Sequence, residues 1–501
     1  MQDHTHPQNN EGQGEDTNLN PDFDFSLITD FQTDAEQLKQ QFEPVKHSEL
    51  LNKLLQQITK HDFRELAGFT DESETLSKKH FLVCSIEQVL NLAQVNNWGI
   101  CKNMDFVYLF NGAYWSLIEN DEMQTFLGEA AEKMGIDRFD ARHYQFREQL
   151  YKQFLAVAHL PKPEQQNDTV LINLKNGTFE ISPTSQQLRN PERNDFITYQ
   201  LPFEFNPEAK APLFFEYLNR VQPDIDRQNI LAEYLAYLFI KPSTLKLEKT
   251  LLLYGTGANG KSVFFEIVNA MLGAENVSSY SLQSLTNENG YYRAMLANKL
   301  VNYASEINGK LETAIFKQLV SGEPVEARLP YGEPMTIKNY AKLIFNCNEL
   351  PKEVEQTNAY FRRFLIVPFD ETIPEQQQDK ELSKKIIQSE LPGVLNWVLD
   401  GLKRLLSQKN FTPSEAVARQ LEQYKKQSDS VLMFLEDEGF EKSTDEHKGF
   451  KELFGLYKDY CHESNYRAVG KKKFGDRLRN AGFEIDRLNF GLVVYVKKLS
   501  F

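Results

Sequence analysis

The chain has 501 residues, too many for a single hydrophobic core, so its length predicts about three or four domains. With 41% hydrophobic and 25% charged residues it has an ordinary globular composition, and its net charge of −15 excludes a uniformly basic surface. Any contact with nucleic acid must therefore use local patches or a channel. The four cysteines are far apart and form no CxxC pair, which argues against a zinc ribbon or a disulfide framework.

The N-terminal segment, residues 1–36, holds nine acidic residues and no lysine or arginine, which is typical of a disordered acidic tail. The acids Asp22 and Asp24 lie in this tail, and we interpret them as solvated charge rather than metal ligands. The N-terminus lacks a basic and apolar leader, and the longest apolar stretch, near 230–240, is too short to span a bilayer. We expect a cytoplasmic protein without membrane contact.

Hydrophobic periodicity next predicts a helical cap over 37–80 and a mixed helical and β domain over 81–207. Two Asn-Gly turn signals in the latter predict hairpins, one over 106–117 and one over 170–181. Helical periodicity resumes at Pro212 and leads into a third domain, predicted over 208–400.

The most specific signal is the octapeptide GTGANGKS at 255–262, which has the spacing GxxxxGK[ST]. An apolar run suited to a buried strand precedes it, and an amphipathic helical pattern follows it, as a phosphate-binding loop requires. Lys261 is predicted to reach the β- and γ-phosphates of ATP, and the Ser262 hydroxyl to ligate Mg²⁺. The predicted nucleotide-binding residues are Gly255, Thr256, Gly257, Ala258, Asn259, Gly260, Lys261 and Ser262.

A strand predicted over 299–305 leads to Glu306, our candidate for the general base that polarises the attacking water, and for a role at the metal. The usual pattern has a second acidic residue directly before the base, for the Mg²⁺ shell, and here Ser305 occupies that position. Another apolar run, 341–347, leads to Asn348, whose amide could contact both the γ-phosphate and that water. Asn346 is the weaker candidate because it could equally be a structural turn residue.

Arg362 and Arg363 directly precede an apolar strand predicted over 364–367. A guanidinium here could stabilise the γ-phosphate on a neighbouring subunit, as an arginine finger does, and spacing favours Arg363. A surface charge pair is the alternative.

A hairpin is predicted between the candidate base and Asn348, with Tyr331 and Gly332 at its tip and Arg328 and Lys338 as its flanking cations. Such a combination of ring and cations suits single-stranded nucleic acid, although an ordinary surface hairpin would look the same in isolation.

A helical linker is predicted over 401–429, followed by a C-terminal domain over 430–501 whose helices and final hairpin predict a winged helix. From Arg467 onward nine basic residues stand against three acidic ones. The predicted contacts to duplex phosphates are Lys471, Lys472, Lys473, Arg477 and Arg479. A basic face for docking another protein is the alternative.

In this order, these motifs make the chain resemble the superfamily 3 helicases, and more closely the phage and plasmid primase-helicases related to the poxvirus type, over about residues 90–500. The resemblance implies an α/β fold with an AAA+ type P-loop ATPase, and a hexameric ring around single-stranded DNA. It places Arg328, Tyr331 and Lys338 at the central pore, and duplex or forked DNA at the winged helix.

Larger relatives also carry a primase-polymerase domain, and about ninety residues before the resembling region are too few for one. Primase activity is therefore not expected, and a separate primase or initiator would be a partner. The leading prediction is an ATP-dependent replicative DNA helicase of a phage, plasmid or other mobile element. The alternatives are an origin-binding initiator without processive unwinding, and a P-loop phosphotransferase, for which the sequence shows no lid or acceptor pocket.

Overall fold

The computed structural model describes residues 44–103, 106–159, 169–182, 184–305, 307, 311–329, 332–351 and 355–499. The predicted acidic tail lies outside these residues. All four cysteines are buried free thiols. In the described ranges, none of the helices combines the length and the apolar character that crossing a bilayer requires.

The N-terminal helices and a three-stranded antiparallel sheet share one core. The elements are α1 (His47–Gln57), α2 (Phe63–Leu66), α3 (Lys78–Val95), β1 (Gly99–Asn103), β2 (Phe106–Phe110), β3 (Trp115–Ile118), α4 (Asn120–Met134), α5 (Arg138–Arg142) and α6 (Tyr144–Val157). Leu50 and Leu54 of α1 are buried in the same core as Phe126 and Leu150. The segment predicted as a helical cap therefore packs together with the residues that follow it.

The first predicted hairpin is present, with β2 and β3 antiparallel, but its connection is longer than the Asn-Gly signal predicted. Phe110 pairs with Trp115, so four residues, 111–114, join the strands. The Asn111 carboxamide oxygen accepts hydrogen bonds from the amides of Ala113 and Tyr114 at 3.0 Å each. This side-chain turn holds 113–114 out of the ladder, so β3 begins later than predicted.

A second small sheet packs onto the next core of the chain. It consists of β4 (Val170–Leu174), β5 (Gly177–Ile181) and β6 (Gln186–Arg189). Leu174 pairs with Gly177, so the predicted hairpin is present, but its two-residue turn is 175–176, one position before the predicted Asn176 and Gly177. Ile172 and Leu174 are buried in one core with residues of the following domain, such as Phe214 and Leu251. Packing thus continues across the predicted boundary at 207.

The centre of the molecule is a five-stranded parallel sheet. Its strands are β7 (Thr250–Tyr254), β8 (Val277–Ser278), β9 (Val301–Ser305), β12 (Lys342–Cys347) and β13 (Phe364–Pro368), in the order β13-β7-β12-β9-β8. Leu251 and Leu253 of β7 are buried in one core and Leu252 in another, because successive side chains point to opposite faces. The chain is thus a mixed α/β protein, and β12 lies between β7 and β9.

Helices cover both faces of this sheet. They are α7 (Pro212–Val221), α8 (Ile225–Tyr237), α9 (Lys261–Leu272), α10 (Leu282–Leu285), α11 (Tyr291–Ala294), α12 (Thr313–Ser321), α13 (Asn358–Phe361), α14 (Leu382–Ser389), α15 (Leu391–Gln408) and α16 (Glu415–Gln427). A hairpin, β10 (Val325–Arg328) with β11 (Pro334–Ile337), lies outside the sheet. Tyr424 of α16 is buried against Phe361 and Phe364, so part of the predicted linker packs on the central domain.

The C-terminal elements enclose their own core. They are α17 (Ser430–Asp437), β14 (Phe440–Gly449), α18 (Phe450–Glu463), α19 (Lys471–Asn480), β15 (Ile485–Leu488) and β16 (Gly491–Lys498). The strands form an antiparallel sheet in the order β14-β16-β15. Sequence patterns miss β14 because, apart from Phe440, its side chains are polar or glycine and mostly exposed, without alternation.

Candidate nucleotide-binding site

A cleft of about 680 Å³ lies at the carboxyl edge of the central sheet, around the glycine-rich loop (residues 255–260) that joins β7 to α9. Ligands of open parallel sheets bind at this edge, because the loops after the strands converge there. The lining includes part of the loop, the first turn of α9 and the ends of β9 and β12. The structure therefore brings the loop together with the ends of both predicted partner strands.

Two glycines in the loop are required by its geometry. A Cβ on Gly255 would lie 2.3 Å from the carbonyl oxygen of Phe369, and Gly260 has a φ of +87°. A Cβ on Gly260 would also lie 2.7 Å from a methyl carbon of Val221. Gly257, by contrast, has open space around it. The loop can therefore expose backbone amides near Gly257 while its two ends pack closely on the protein.

Lys261, the first residue of α9, folds back on the loop. Its Nζ donates hydrogen bonds to the carbonyl oxygens of Gly255 at 2.6 Å and Thr256 at 3.1 Å, and to Oδ1 of Asn259 at 3.0 Å. Burial lowers the pKa of this ammonium group. Because its partners are uncharged oxygens, a phosphate in the cleft would be a stronger partner for the charged form.

Two side chains hold the loop in place, and one of them was missed by the sequence analysis. The amide nitrogen of Asn259 donates to the carbonyl oxygen of Phe369 at 3.1 Å, which ties the loop to the residue after β13. The Tyr217 hydroxyl, on α7, donates to the carbonyl oxygen of Gly260 at 2.8 Å. No local pattern marks Tyr217, because this contact crosses 43 residues of sequence.

The ends of β9 and β12 present polar side chains to the cleft. Ser305 ends β9 and is exposed in the cleft, and Glu306, the predicted general base, lies outside the described residues. Asn348 is exposed just after β12. Asn346 is a strand residue rather than a turn residue, and the Tyr303 hydroxyl donates to its Oδ1 at 3.0 Å. This bond leaves the Asn346 NH₂ group to face the cleft.

Two cations that the sequence analysis did not single out also line the cleft. Arg220 reaches it from α7 and donates to the carbonyl oxygen of Gln377 at 3.4 Å. Lys380 lies in the segment before α14 and is exposed. Neither cation could be predicted from the sequence, because neither is close to the glycine-rich loop along the chain.

The two candidate finger arginines lie at the opposite edge of the sheet. The carbonyl oxygen of Arg363 accepts from the amide of Thr250, the first residue of β7, so about 13 Å of strand separates it from the glycine-rich loop. The Arg363 side chain is 9% exposed and donates to the Ser321 hydroxyl at 3.0 Å. The Arg362 side chain is 58% exposed and contacts Glu248 at 2.6 Å. Exposure therefore favours Arg362, against the preference from spacing.

The predicted hairpin is present as β10 and β11, but its two cations are far apart on it. Arg328 pairs with Pro334 beside the tip, and its Nε donates to the carbonyl oxygen of Gly332 at 2.7 Å. Lys338 follows the base of the hairpin, where Val325 pairs with Ile337, so it does not flank the tip as predicted. Tyr331 lies outside the described residues.

The basic residues of α19 divide into two groups. Lys471, Lys472 and Lys473 are exposed in its first turn. Arg477 instead turns toward α17, where it donates to the Asp429 carboxylate at 2.9 Å in a partly buried ion pair. Arg477 therefore ties α19 to α17, whereas Arg479 is exposed beside Asp476.

The excess of basic residues counted from Arg467 onward is partly offset by acidic residues that lie earlier in the C-terminal domain. Lys497 and Lys498 of β16 pair with Glu441 at 3.6 Å and Glu438 at 2.8 Å. Over the ranges that the structure describes, no group of three or more His, Cys, Asp or Glu side chains is placed to hold a metal ion. Oxygen ligands for Mg²⁺ in the cleft would begin with the exposed Ser262 hydroxyl.

Three family models match successive parts of the chain. A model described as "D5 N terminal like" matches residues 87–223, and "Poxvirus D5 protein-like" matches residues 426–493. Two segments of the chain thus resemble D5 proteins. The model "Family of unknown function (DUF5906)" matches residues 253–363, the segment that contains the glycine-rich loop and the arginine pair. The two D5 matches support the predicted relation to the poxvirus-type primase-helicases.

Known proteins show more distant similarity. The Acanthamoeba polyphaga mimivirus protein "Putative helicase L207/L206" is 24% identical over 275 residues, which cover 52% of this chain. The match covers only 28% of that relative's length. Two apo structures of the NrS-1 C-terminal region share 12% identity with the chain, cover 82% of it and 98% of their own length, and give TM-scores of 0.47 and 0.45.

Proposed function

We propose that this chain is an ATP-driven DNA helicase that serves the replication of a virus, phage, plasmid or other mobile element. The observation that carries the proposal is the meeting of the glycine-rich loop, Ser305, Asn346 and Asn348 in one cleft. A phosphate-binding loop alone is common to many enzymes. A neighbouring strand that ends in amides, beside another that leads to an acid, is instead suited to hydrolysis of the terminal phosphate. D5-like matches and a helicase-named viral relative point the same way.

In this proposal the chain's own groups bind the triphosphate and position the water. Loop amides and Lys261 hold the phosphates, while Asn348 orients the γ-phosphate and the water that Glu306 deprotonates. Ser262 would hold Mg²⁺ with few other protein ligands, as is usual for this ion on nucleotides. When bound, Mg²⁺ neutralises charge on the phosphate oxygens.

The proposal assigns the arginine pair to a neighbouring subunit. Arg362 lies at the amino edge of the sheet and the glycine-rich loop at the carboxyl edge, so it cannot contact a nucleotide bound to its own chain. In a ring, with the AAA+ arrangement that the resemblance implies, it would reach the nucleotide of the adjacent chain. Six subunits are the ring size that we propose from the same resemblance.

DNA would contact the ring in two places. The tip of the β10–β11 hairpin, with Arg328, is proposed to grip single-stranded DNA in the pore. The C-terminal domain, whose element order supports a winged helix, is proposed to hold duplex or forked DNA through Lys471, Lys472 and Lys473. Arg477 has no part in this contact because Asp429 engages it.

The test is ATP hydrolysis with and without single-stranded DNA, together with strand displacement on a forked duplex. We expect DNA to stimulate hydrolysis, and Lys261→Ala or Asn348→Ala to lower the rate by at least about a hundredfold, because each removes a contact made to the γ-phosphate. Lys152→Ala, an exposed change on α6, should leave both activities unchanged. Hydrolysis that DNA stimulates without any displacement would favour the initiator. A rate of ATP hydrolysis that single-stranded DNA does not change would contradict the proposal.

A further inference from the structure

A concentration of lysines lines a cavity that lies away from the nucleotide cleft. This second cavity, of about 780 Å³, is at the amino edge of the central sheet, where β12 begins and where β4–β6 face the sheet. We call it the basic cleft. It is lined by Lys241, Lys246, Lys249, Lys299, Lys338 and Lys342. The glycine-rich loop is at the other end of the strands, so the two cavities are separate sites.

The carboxylates of the basic cleft do not neutralise these lysines. Its three acidic lining residues surround a single arginine: Arg189 contacts Glu180 at 2.6 Å and Asp195 at 2.8 Å, with Glu192 at 3.9 Å. Among the lysines, the ion pairs found within the described residues involve Lys246 alone, with Glu248 and Glu323. The other five lysines therefore have no carboxylate partner in that part of the chain, although the amines of Lys249 and Lys299 donate to the backbone carbonyls of Arg362 and Glu275.

Lys342 lies at the floor of the basic cleft, where β12 begins, and its amine has no carboxylate partner among the described residues. Its Nζ donates to the carbonyl oxygen of Ile240 at 2.7 Å and lies 4.4 Å from the centre of the Tyr237 ring. Burial lowers the pKa of Lys342 to about 7. A partly buried ammonium group with only a carbonyl and a ring beside it is costly, and an anion entering the cleft would offset that cost.

The apolar part of the lining suits a base. Tyr199, Tyr237 and Tyr340 line the same cavity, where Tyr340 is partly exposed and the other two are buried in the wall. Its volume lies within the range of about 300–1,000 Å³ that small-molecule sites occupy. Lys338 and Tyr340 directly follow β11, so the basic cleft begins at the base of the hairpin.

We propose that the basic cleft is a second phosphate-binding site, which takes one nucleotide unit with its phosphate on the lysines and its base against Tyr340. That unit has two sources, a free nucleotide or a nucleotide within a single strand that has passed the hairpin. Both present the same phosphate chemistry. The proposal does not depend on ATP hydrolysis at the glycine-rich loop.

The experiment uses the full chain carrying Lys261→Ala, so that binding at the glycine-rich loop is weakened. Lysine acylation, read by mass spectrometry, reports each amine separately. We expect dATP or an oligothymidylate to slow labelling of Lys299, Lys338 and Lys342, while labelling of Lys152 stays constant. Protection by dATP alone identifies a free nucleotide, and protection by the oligonucleotide alone identifies a strand. If neither ligand slows labelling of these three lysines, the proposal is wrong.

A variant set gives a second readout. Lys299→Ala combined with Lys338→Ala removes two amines at the mouth of the cleft, and should weaken the protecting ligand's affinity by about tenfold or more, because each is a charge-assisted contact. Lys152→Ala is the matched control and should leave affinity unchanged. Unchanged affinity in the double variant, with its fold intact by circular dichroism, would contradict the proposal. If the wild-type chain does not hydrolyse ATP, that result would contradict the proposed helicase function but not the proposed site in the basic cleft.

Discussion

Single residues in the nucleotide cleft are constrained to different degrees, and the sequence motif reflects this. The pattern GxxxxGK[ST] requires glycine at Gly255 and leaves the position of Gly257 open, and of the two only Gly255 lies against backbone, at the carbonyl of Phe369. Lys261 could be predicted from the motif, but its three oxygen partners could not, because they depend on the path of the loop. The choice between Arg362 and Arg363 also needed the fold, since the Ser321 hydroxyl that engages Arg363 comes from α12.

The glycine pair gives a prediction about stability. Gly255→Ala should destabilise the chain by about 1–3 kcal/mol, because its Cβ would overlap backbone atoms that cannot move aside freely. Gly257→Ala is the matched control, with open space around the added methyl group, and should change stability by less than about 0.5 kcal/mol. Denaturant unfolding followed by fluorescence measures both. Equal losses in the two variants would show that the loop is not packed as described.

Lys342 gives a prediction about pH. Its pKa of about 7 is below the ordinary value of 10.5, so the unfolded chain binds more protons than the folded chain between these two values. Wild-type stability should therefore rise with pH across that window, as the folded form sheds its buried charge. Lys342→Met removes the charge at every pH and should stabilise the chain by about 2 kcal/mol at pH 6.5. This figure is smaller than the full pKa shift would give, because the Lys342 side chain keeps some contact with solvent.

The comparison is made by urea unfolding at pH 6.5 and again at pH 9.5. The advantage of Lys342→Met should shrink at pH 9.5, where the wild-type amine is already neutral in the folded state. Lys152→Met, on the exposed face of α6, should show no pH-dependent difference from the wild type. An advantage that grows with pH would have the wrong sign and would contradict the burial of a charged amine.

Whole elements were predictable where their hydrophobic pattern is strong and local. The apolar runs at β7, β12 and β13 and the hairpin of β4 and β5 could all be found from sequence. β14 could not, because a polar, exposed strand lacks the alternation on which such predictions rest. In α19 the sequence correctly marked a basic helix, but only the packing of α17 shows that one of its arginines serves structure.

That division within α19 can be tested with a pair of variants. Arg477→Ala leaves the partly buried Asp429 carboxylate without its guanidinium partner, and should destabilise the C-terminal domain by about 1–3 kcal/mol. Arg479→Ala, whose pair with Asp476 is exposed, should change stability by less than about 0.5 kcal/mol. Native-state hydrogen exchange within α17–β16 separates loss in this domain from loss elsewhere. Similar protection in both variants would refute the structural role of Arg477.

At the scale of the whole molecule, function depends on distances that no sequence pattern contains. The lysines of the basic cleft come from segments between residues 241 and 342, and only the sheet brings them together. The order of the central strands places the glycine-rich loop and the arginine pair at opposite edges. In the proposed account, a single chain would supply one half of each of two catalytic sites, and a second chain would be needed to complete either.

The most direct test is ATP hydrolysis, with single-stranded DNA present, by mixtures of two inactive variants. Lys261→Ala has a defective loop but an intact arginine pair, and Arg362→Ala has the reverse. Each alone should be nearly inactive, and an equal mixture should recover about a quarter of the wild-type rate, since half of the loops are intact and half of their neighbours supply the arginine. A mixture that stays as inactive as its components, or full activity of Arg362→Ala alone, would contradict hydrolysis at a site shared between subunits.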